Sequence, residues 1–491
     1  MSDPVEQKPG RREGSRKRPA KGADAQQRPD SRPDSRADVR PGPRADKADM
    51  PRRGREGLAS RKTAASILER VLEKRVPLDA LLDEHHGIPH FRDLDARDRA
   101  LVRAIVGAVL RHRGELEAAL DRCIEHKLPA NAEALRILLM VGAAQILFLD
   151  VPDHAAVSIA VTVAAENRRT RDARGLVNGV LRRIAREREL LAGRTDAARL
   201  NTPDWLFASW TEAYGEDTAT AIATAHAQQP GLDLTPKRDA EAVAAAVEGV
   251  VLSTGTVRLA ETRRVSLLPG FAEGDWWVQD AAAALPARLL GDVAGLHVAD
   301  LCAAPGGKTA ELAAAGADVT AIDLSENRLK RLAQNLDRLG LSATLKAADV
   351  LAYEPEAPFD AILLDAPCSA TGTIRRHPDV AWLKTPEDVA TLSALQAKML
   401  DRVAGWVKPG GRLVFCTCSL EPQEGEAHIE PFLRAHPEFR LEPVLPAEVG
   451  GLAHVVTGSG TLRTLPCHDA GTANAEPGMD GFFAARFVRQ G

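Results

Sequence analysis

A chain of 491 residues is too long for one ordinary hydrophobic core, so two or three domains are expected. Charged residues at 27% and apolar residues at 44% suit a globular protein in water, and no apolar run reaches the ~20 residues that cross a bilayer. The polar N-terminus argues against a secretory leader, and six cysteines without a CxxC pair argue against a disulfide framework or a zinc knuckle. A cytoplasmic monomer with neither a metal nor a membrane anchor is the expectation.

The net charge of −4 conceals an asymmetry, because residues 1–56 hold sixteen Lys/Arg against ten Asp/Glu. With almost no aliphatic residues, residues 1–60 are expected to form a disordered basic tail, either an arm for nucleic-acid phosphates or a solvated extension. Residues 61–195 read as helical throughout. Ala65, Leu68, Val71 and Leu72 fall at helical spacing, as do Leu101, Ile105, Val109 and Leu110, and Ala132–Leu149 is apolar nearly all round. Arg168, Arg169, Arg171, Arg174, Arg182, Arg183 and Arg186 mark either a solvated face or an RNA-facing patch. The runs Asp95–Leu101, Val151–Val157 and Leu176–Arg183 resemble the NusB-like RNA-binding domain, which implies an all-α module that binds RNA. Residues 196–273 read as a small α+β connector with short β-like runs at Val250–Ser253 and Thr256–Leu259.

From residue 274 to 491 strands and helices alternate. Leu296–Leu301, Val319–Ile322, Leu345–Ala348, Phe359–Leu364 and Arg412–Phe415 predict a doubly wound, Rossmann-like α/β sheet with ligands at the strand carboxyl ends. The loop Asp300–Thr309 carries Gly306 and Gly307, which let backbone approach a ligand, yet it has neither the GxGxxG nor the GxxxxGK[ST] register. Asp323 lies at the spacing of an acid that grips ribose hydroxyls, and Asp349 is a candidate acceptor for an adenine amino group. Three aspartates at successive strand ends behind a glycine loop point to an adenosine-bearing cofactor, although each alone could be a cap.

Asp365-Ala-Pro-Cys368 and Cys416-Thr-Cys418 end two later strands. Methylation at cytosine C5 needs a thiolate to add at C6, an acid near N3 and a route for the C5 proton. Cys418, Asp365 and Cys368 would fill those roles, against the alternative that both cysteines are packed core residues. Cys416 shares a strand face with Cys418 and reads as packing in preference to a spare thiol. Arg375, Arg376 and His377 either hold phosphates around a flipped base or are surface charges.

The motifs Val278–Ala281, Asp300–Lys308, Asp365–Ser369, Arg375–Asp379, Thr417–Ser419 and Asp480–Phe483 closely resemble the NOL1/NOP2/Sun family of RNA cytosine-5 methyltransferases, in particular its bacterial branch with a NusB-like front end. That resemblance implies S-adenosylmethionine as cofactor, bound through Cys302, Ala303, Ala304, Pro305, Gly306, Gly307, Lys308, Asp323, Asp349 and Asp365. It implies Cys418 as nucleophile and Cys368 in product release, and a cytosine of small-subunit ribosomal RNA as substrate. The chain departs from the family pattern at Leu232-Asp-Leu-Thr-Pro-Lys237. Competing readings are the same chemistry on transfer RNA, a non-catalytic RNA-binding assembly factor, and a nicotinamide dehydrogenase.

Overall fold

The computed structural model describes residues 57–491 apart from 84–85, 130, 192–195, 261–263 and 473–476. The basic tail therefore lies, up to residue 56, outside the described residues. The helical region begins with α1 (Leu58–Leu72) and continues through α2 (Ala96–Arg111), α3 (Arg113–Cys123), α4 (Glu133–Leu147), α5 (Asp153–Glu166) and α6 (Arg174–Arg186). Asp95 caps α2 by accepting from the Asp98 amide at 2.7 Å, satisfying one of the helix's orphan donors. α4 is buried on nearly every side, as its apolar composition predicts. Its one buried amide, Gln145, is met by Arg61 Nε at 2.8 Å and donates to the Val141 carbonyl at 2.7 Å. Close approach at Gly142 lets α6 pack directly, since a Cβ there would fall 2.5 Å from Leu181 Cδ1. The arginine face stays exposed at Arg168, Arg171, Arg174, Arg182 and Arg186. Part of its charge is answered locally, by Glu69 against Arg169 at 2.6 Å and Glu187 against Arg183 at 2.8 Å.

Two helices, α7 (Asp204–Tyr214) and α8 (Glu216–Ala227), lead to β1 (Leu232–Pro236), α9 (Ala240–Val247), β2 (Val250–Val251), β3 (Val257–Leu259) and β4 (Trp276–Val278). These four strands form an antiparallel sheet in the order β2-β3-β1-β4. Its last strand lies beyond the residue-273 boundary drawn from sequence, because Trp276 and Val278 pair with Pro236 and Leu234. The stretch that departs from the family pattern is β1 itself. Its Asp233 forms a buried two-pronged ion pair with Arg258, both contacts 2.7 Å.

The remaining chain builds β5 (His297–Leu301), α10 (Gly307–Ala314), β6 (Asp318–Asp323), α11 (Glu326–Leu339), β7 (Thr344–Ala347), β8 (Phe359–Asp365), α12 (Pro386–Ala404), β9 (Val407–Thr417), β10 (Phe439–Leu441), β11 (Leu462–Thr464) and β12 (Phe482–Arg489). The sheet order is β7-β6-β5-β8-β9-β12-β10, with β11 also on β12. β5 to β9 run parallel, while β12 is antiparallel to β9. The order reverses between β5 and β8, so the crevice at their carboxyl ends is where this topology places a ligand. Near-continuous burial of β5, β8 and β9 reflects apolar clusters on both sheet faces.

The helical bundle meets the α/β region along the segment that follows β8. Trp382 donates to the Leu110 carbonyl at 2.9 Å, and Arg113 stacks over its ring at 4.6 Å. Asp379 accepts from the Leu78 amide at 2.9 Å, and Arg111 donates to the Arg375 carbonyl at 3.1 Å. None of the described helices is long and apolar enough to cross a membrane.

Candidate active site

β5 delivers the chain to a loop whose geometry its residue types permit. Cys302 (φ +60°) and Gly306 (φ +104°) both adopt left-handed backbone, and a Cβ on Gly306 would meet Leu332 Cγ at 2.7 Å. Beneath the loop, buried Asp300 accepts from Thr309 Oγ1 at 2.6 Å, and burial pushes its carboxyl up to about 7. Asp323 lies behind the loop, accepting from the Ala304 amide at 3.1 Å and the Ser325 amide at 2.9 Å, with Arg328 against it at 3.1 Å.

In front of the loop is a cavity of about 620 Å³. Ala303, Ala304, Pro305, Gly307 and Lys308 line it together with Asp365, Cys418, Arg376 and Phe482. Lys308 meets Asp365 at 2.8 Å and sits 4.8 Å over the Phe482 ring. Burial alone would lower the Lys308 ammonium, but the Asp365 carboxylate holds it well above its ordinary value. Asp349 is not brought to this wall. It is exposed, and its Oδ1 accepts from the Leu351 amide at 2.9 Å, the capping role open to any strand-end aspartate.

The pairing of β8 with β9 sets Asp365 opposite Cys416 and brings the two cysteine loops together. Cys368 Sγ lies 3.4 Å from Cys418 Sγ, with both thiols free. Cys418 beside it, and then burial, push the Cys368 thiol well up. Cys416 is fully buried, its Sγ 3.6 Å from Asp365 Oδ1, and burial pushes its thiol up too. Burial does the same to Cys302.

Arg375 is turned inward, unlike either the phosphate-holding or the surface-charge expectation, whereas Arg376 is exposed and lines the cavity. Arg375 is buried, pairing with Asp280 at 2.5 Å and Asp480 at 3.0 Å, while Arg376 Nε lies 2.8 Å from the other Asp480 oxygen. Burial works against charge on Asp280, yet Arg375 and Arg376 hold it well below the usual carboxylate range. His377 turns to Asp79 of the bundle region at 3.3 Å. Three motifs noted in the sequence thus meet in one ion network, and the reason is electrostatic: buried charges require partners.

Sequence reasoning missed Glu424. It is fully buried six residues after Cys418 and accepts from the Ser369 amide at 2.9 Å and Ser419 Oγ at 2.6 Å. It also accepts from Ser369 Oγ. Its position in Glu421-Pro-Gln-Glu-Gly-Glu426 reads as a solvent-facing loop, and the one available signal was its closeness to the second cysteine motif.

The residues fit an adenosine-bearing sulfonium cofactor. A cavity of this size suits a small organic molecule, and its wall offers both a carboxylate and an ammonium to a ligand of mixed charge. Residues 287–488 match the family model for the 16S rRNA methyltransferase RsmB/F, and residues 58–186 match the NusB family. The chain is 37% identical over 449 residues to ribosomal RNA small subunit methyltransferase B of Salmonella arizonae, covering 88% of this chain and 98% of that one. Identity to its counterpart in Salmonella paratyphi B is 36% over the same length and the same shares. In fold it is similar to the crystal structure of PH0851, with a TM-score of 0.68 over 90% of this chain and all of that one, at 23% identity. With a NusB domain ahead of a Rossmann-like domain and near end-to-end similarity to these relatives, the chain belongs to the RsmB/Sun family of S-adenosylmethionine-dependent ribosomal RNA methyltransferases.

Proposed function

We propose that the protein methylates carbon 5 of a cytosine in small-subunit ribosomal RNA through a covalent bond between Cys418 and cytosine C6. The observation that carries this reading is the pair of thiols 3.4 Å apart, with Cys418 in the same cavity wall as Asp365 and the glycine loop. When bound, S-adenosylmethionine supplies an electrophilic methyl group on a sulfonium. The Cys302–Lys308 loop and Asp365 would hold it, with Asp323 reaching the ribose if the half-exposed Arg328 side chain releases its carboxylate. Asp349 would join only by giving up its cap on Leu351.

The chain's own groups then divide the work. Cys418 adds to C6, which makes C5 enamine-like and able to accept the methyl. Asp365 meets the base at N3, oriented by Lys308. After transfer the C5 proton would pass to water, the electrons of the C5–H bond would reform the C5–C6 double bond, and the Cys418–C6 pair would return to sulfur as a thiolate, with Cys368 assisting that release by donating its thiol proton to the leaving sulfur. Among the described cysteines it is Cys418 that lines the cavity, while Cys302, Cys368 and Cys416 do not, which favours Cys418 as the attacking group. The base must leave its stack to reach Cys418, at a cost of about a few kcal/mol.

The test is to map 5-methylcytosine after incubating the protein and cofactor with unmethylated small-subunit RNA and, separately, with transfer RNA. One modified cytosine in the ribosomal RNA supports the reading. Modification confined to transfer RNA would move the substrate, and modification of neither would refute the activity.

A further inference from the structure

Glu424 touches neither the cavity nor a cysteine, yet it holds the residues that immediately follow both reactive thiols. Its Oε1 takes the Ser369 amide at 2.9 Å and Gln396 Nε2 at 3.2 Å. Its Oε2 takes Ser369 Oγ and, at 2.6 Å, Ser419 Oγ. Ser369 follows Cys368 and Ser419 follows Cys418. Two further bonds close the same seam, Gly372 amide to Cys418 carbonyl and Leu420 amide to Thr371 Oγ1, both 3.0 Å. Gln396 in turn donates to the Pro367 carbonyl at 2.8 Å and is met by His428 at 3.0 Å, so the acceptor is braced from α12.

We infer that Glu424 is a positioning residue that fixes the separation of the Cys368 and Cys418 sulfurs, and through it the step that releases the methylated base. The inference rests on the two-cysteine mechanism above. Four donors converge on two acceptor oxygens, and no other residue type of this length presents two acceptors. In Glu424→Gln one orientation sets the amide nitrogen against the donors Ser369 N and Gln396 Nε2, and the other sets it against two serine hydroxyls that must rotate to accept where they now donate to a carboxylate. Either way the charge-assisted bonds that draw the two loops together are lost and the loops are held less closely, and a misplacement of about 1 Å between reacting groups costs about 100-fold in rate.

The experiment compares full-length wild type, Glu424→Gln and Ser369→Ala. It reads steady-state methylation of ribosomal RNA, cofactor affinity, and the rate at which diamide cross-links Cys368 to Cys418. In that cross-link the two thiols lose two electrons and two protons to diamide, so its rate reads sulfur spacing without reference to RNA. Glu424→Gln is expected to lower kcat about 100-fold, to leave the RNA KM and cofactor Kd within about 3-fold, and to slow the cross-link about 10-fold. Ser369→Ala, which removes one donor and leaves the acceptor in place, should move kcat and cross-linking the same way by less. Should Glu424→Gln fail to fold, the serine variant carries the test. Unchanged kcat and cross-linking would overturn the inference, as would equal loss of kcat and cofactor affinity, which marks a purely structural role. If the cytosine mechanism itself is wrong, wild type forms no 5-methylcytosine while the cross-linking arm still reports whether Glu424 sets the spacing.

Discussion

Replacing Arg375 by methionine keeps its length and apolar stem and removes its charge. The guanidinium is 5% exposed and bridges Asp280, 1% exposed, to Asp480, which is fully buried. Asp480 retains Arg376, but Asp280 loses the one cation directly paired with it among the described residues and keeps amide donors at Ala282 and Asp480. Removing one partner from a buried ion pair leaves an uncompensated charge and costs about 3–5 kcal/mol. The acid side fixes the sign. Asp280 is held below its unfolded value, so its contribution is present above about pH 4 and is lost as pH falls through the folded value. In Arg375→Met that carboxyl loses the strongest of the cations that hold it down while its burial stays, so its folded value rises and the penalty should be largest at pH 7.5 and shrink toward pH 5 as the carboxyl takes a proton. Urea unfolding of both proteins at the two pH values measures this. A difference below about 1 kcal/mol at pH 7.5, or one of equal size at both pH values, would refute the reasoning. The salt dependence of RNA binding should stay the same, because this cation is turned inward and not toward phosphates.

Two further outcomes follow from the cofactor loop. Gly306→Ala places a Cβ 2.7 Å from Leu332 Cγ at φ +104°, so S-adenosylmethionine affinity by calorimetry should fall at least about 10-fold while the NusB-family helical bundle is untouched; unchanged affinity would contradict the loop's assignment. Asp300→Asn removes a carboxyl held at about 7, above its unfolded value. Wild-type stability should fall as pH rises from about 4 through 7, because the unfolded chain releases its proton first, so the variant should gain on wild type between pH 5 and pH 8. A pH-independent difference in denaturation midpoint would sink that account.

The sheet and its reactive ends were legible because period and position coincide there. Apolar strands ending in Asp300, Asp323, Asp365 and the Cys416–Cys418 run alternate with helices, and local pattern determines both. The ion network was hidden for the opposite reason. Arg375 lies 95 residues from Asp280 and 105 from Asp480, and a charged residue in isolation reads as surface. Glu424 was hidden in the same way, since a polar loop with a proline and a glycine gives no sign of a fully buried acceptor. β1 was missed because Asp233 and Pro236 break the appearance of a strand, although Pro236 sits at its end and Asp233 is neutralised by Arg258. Asp349 went the other way: a strand-end aspartate looks the same whether it binds a ligand or caps a turn.

The central claim is that Cys418 attacks and Cys368 releases. The direct test incubates small-subunit RNA and cofactor with wild type, Cys418→Ala and Cys368→Ala, and resolves protein from protein–RNA adduct on a denaturing gel. The mechanism predicts a stable adduct with Cys368→Ala, none with Cys418→Ala, and 5-methylcytosine with wild type. An adduct or methylated product formed by Cys418→Ala would contradict it and put Cys416 or Cys368 in its place.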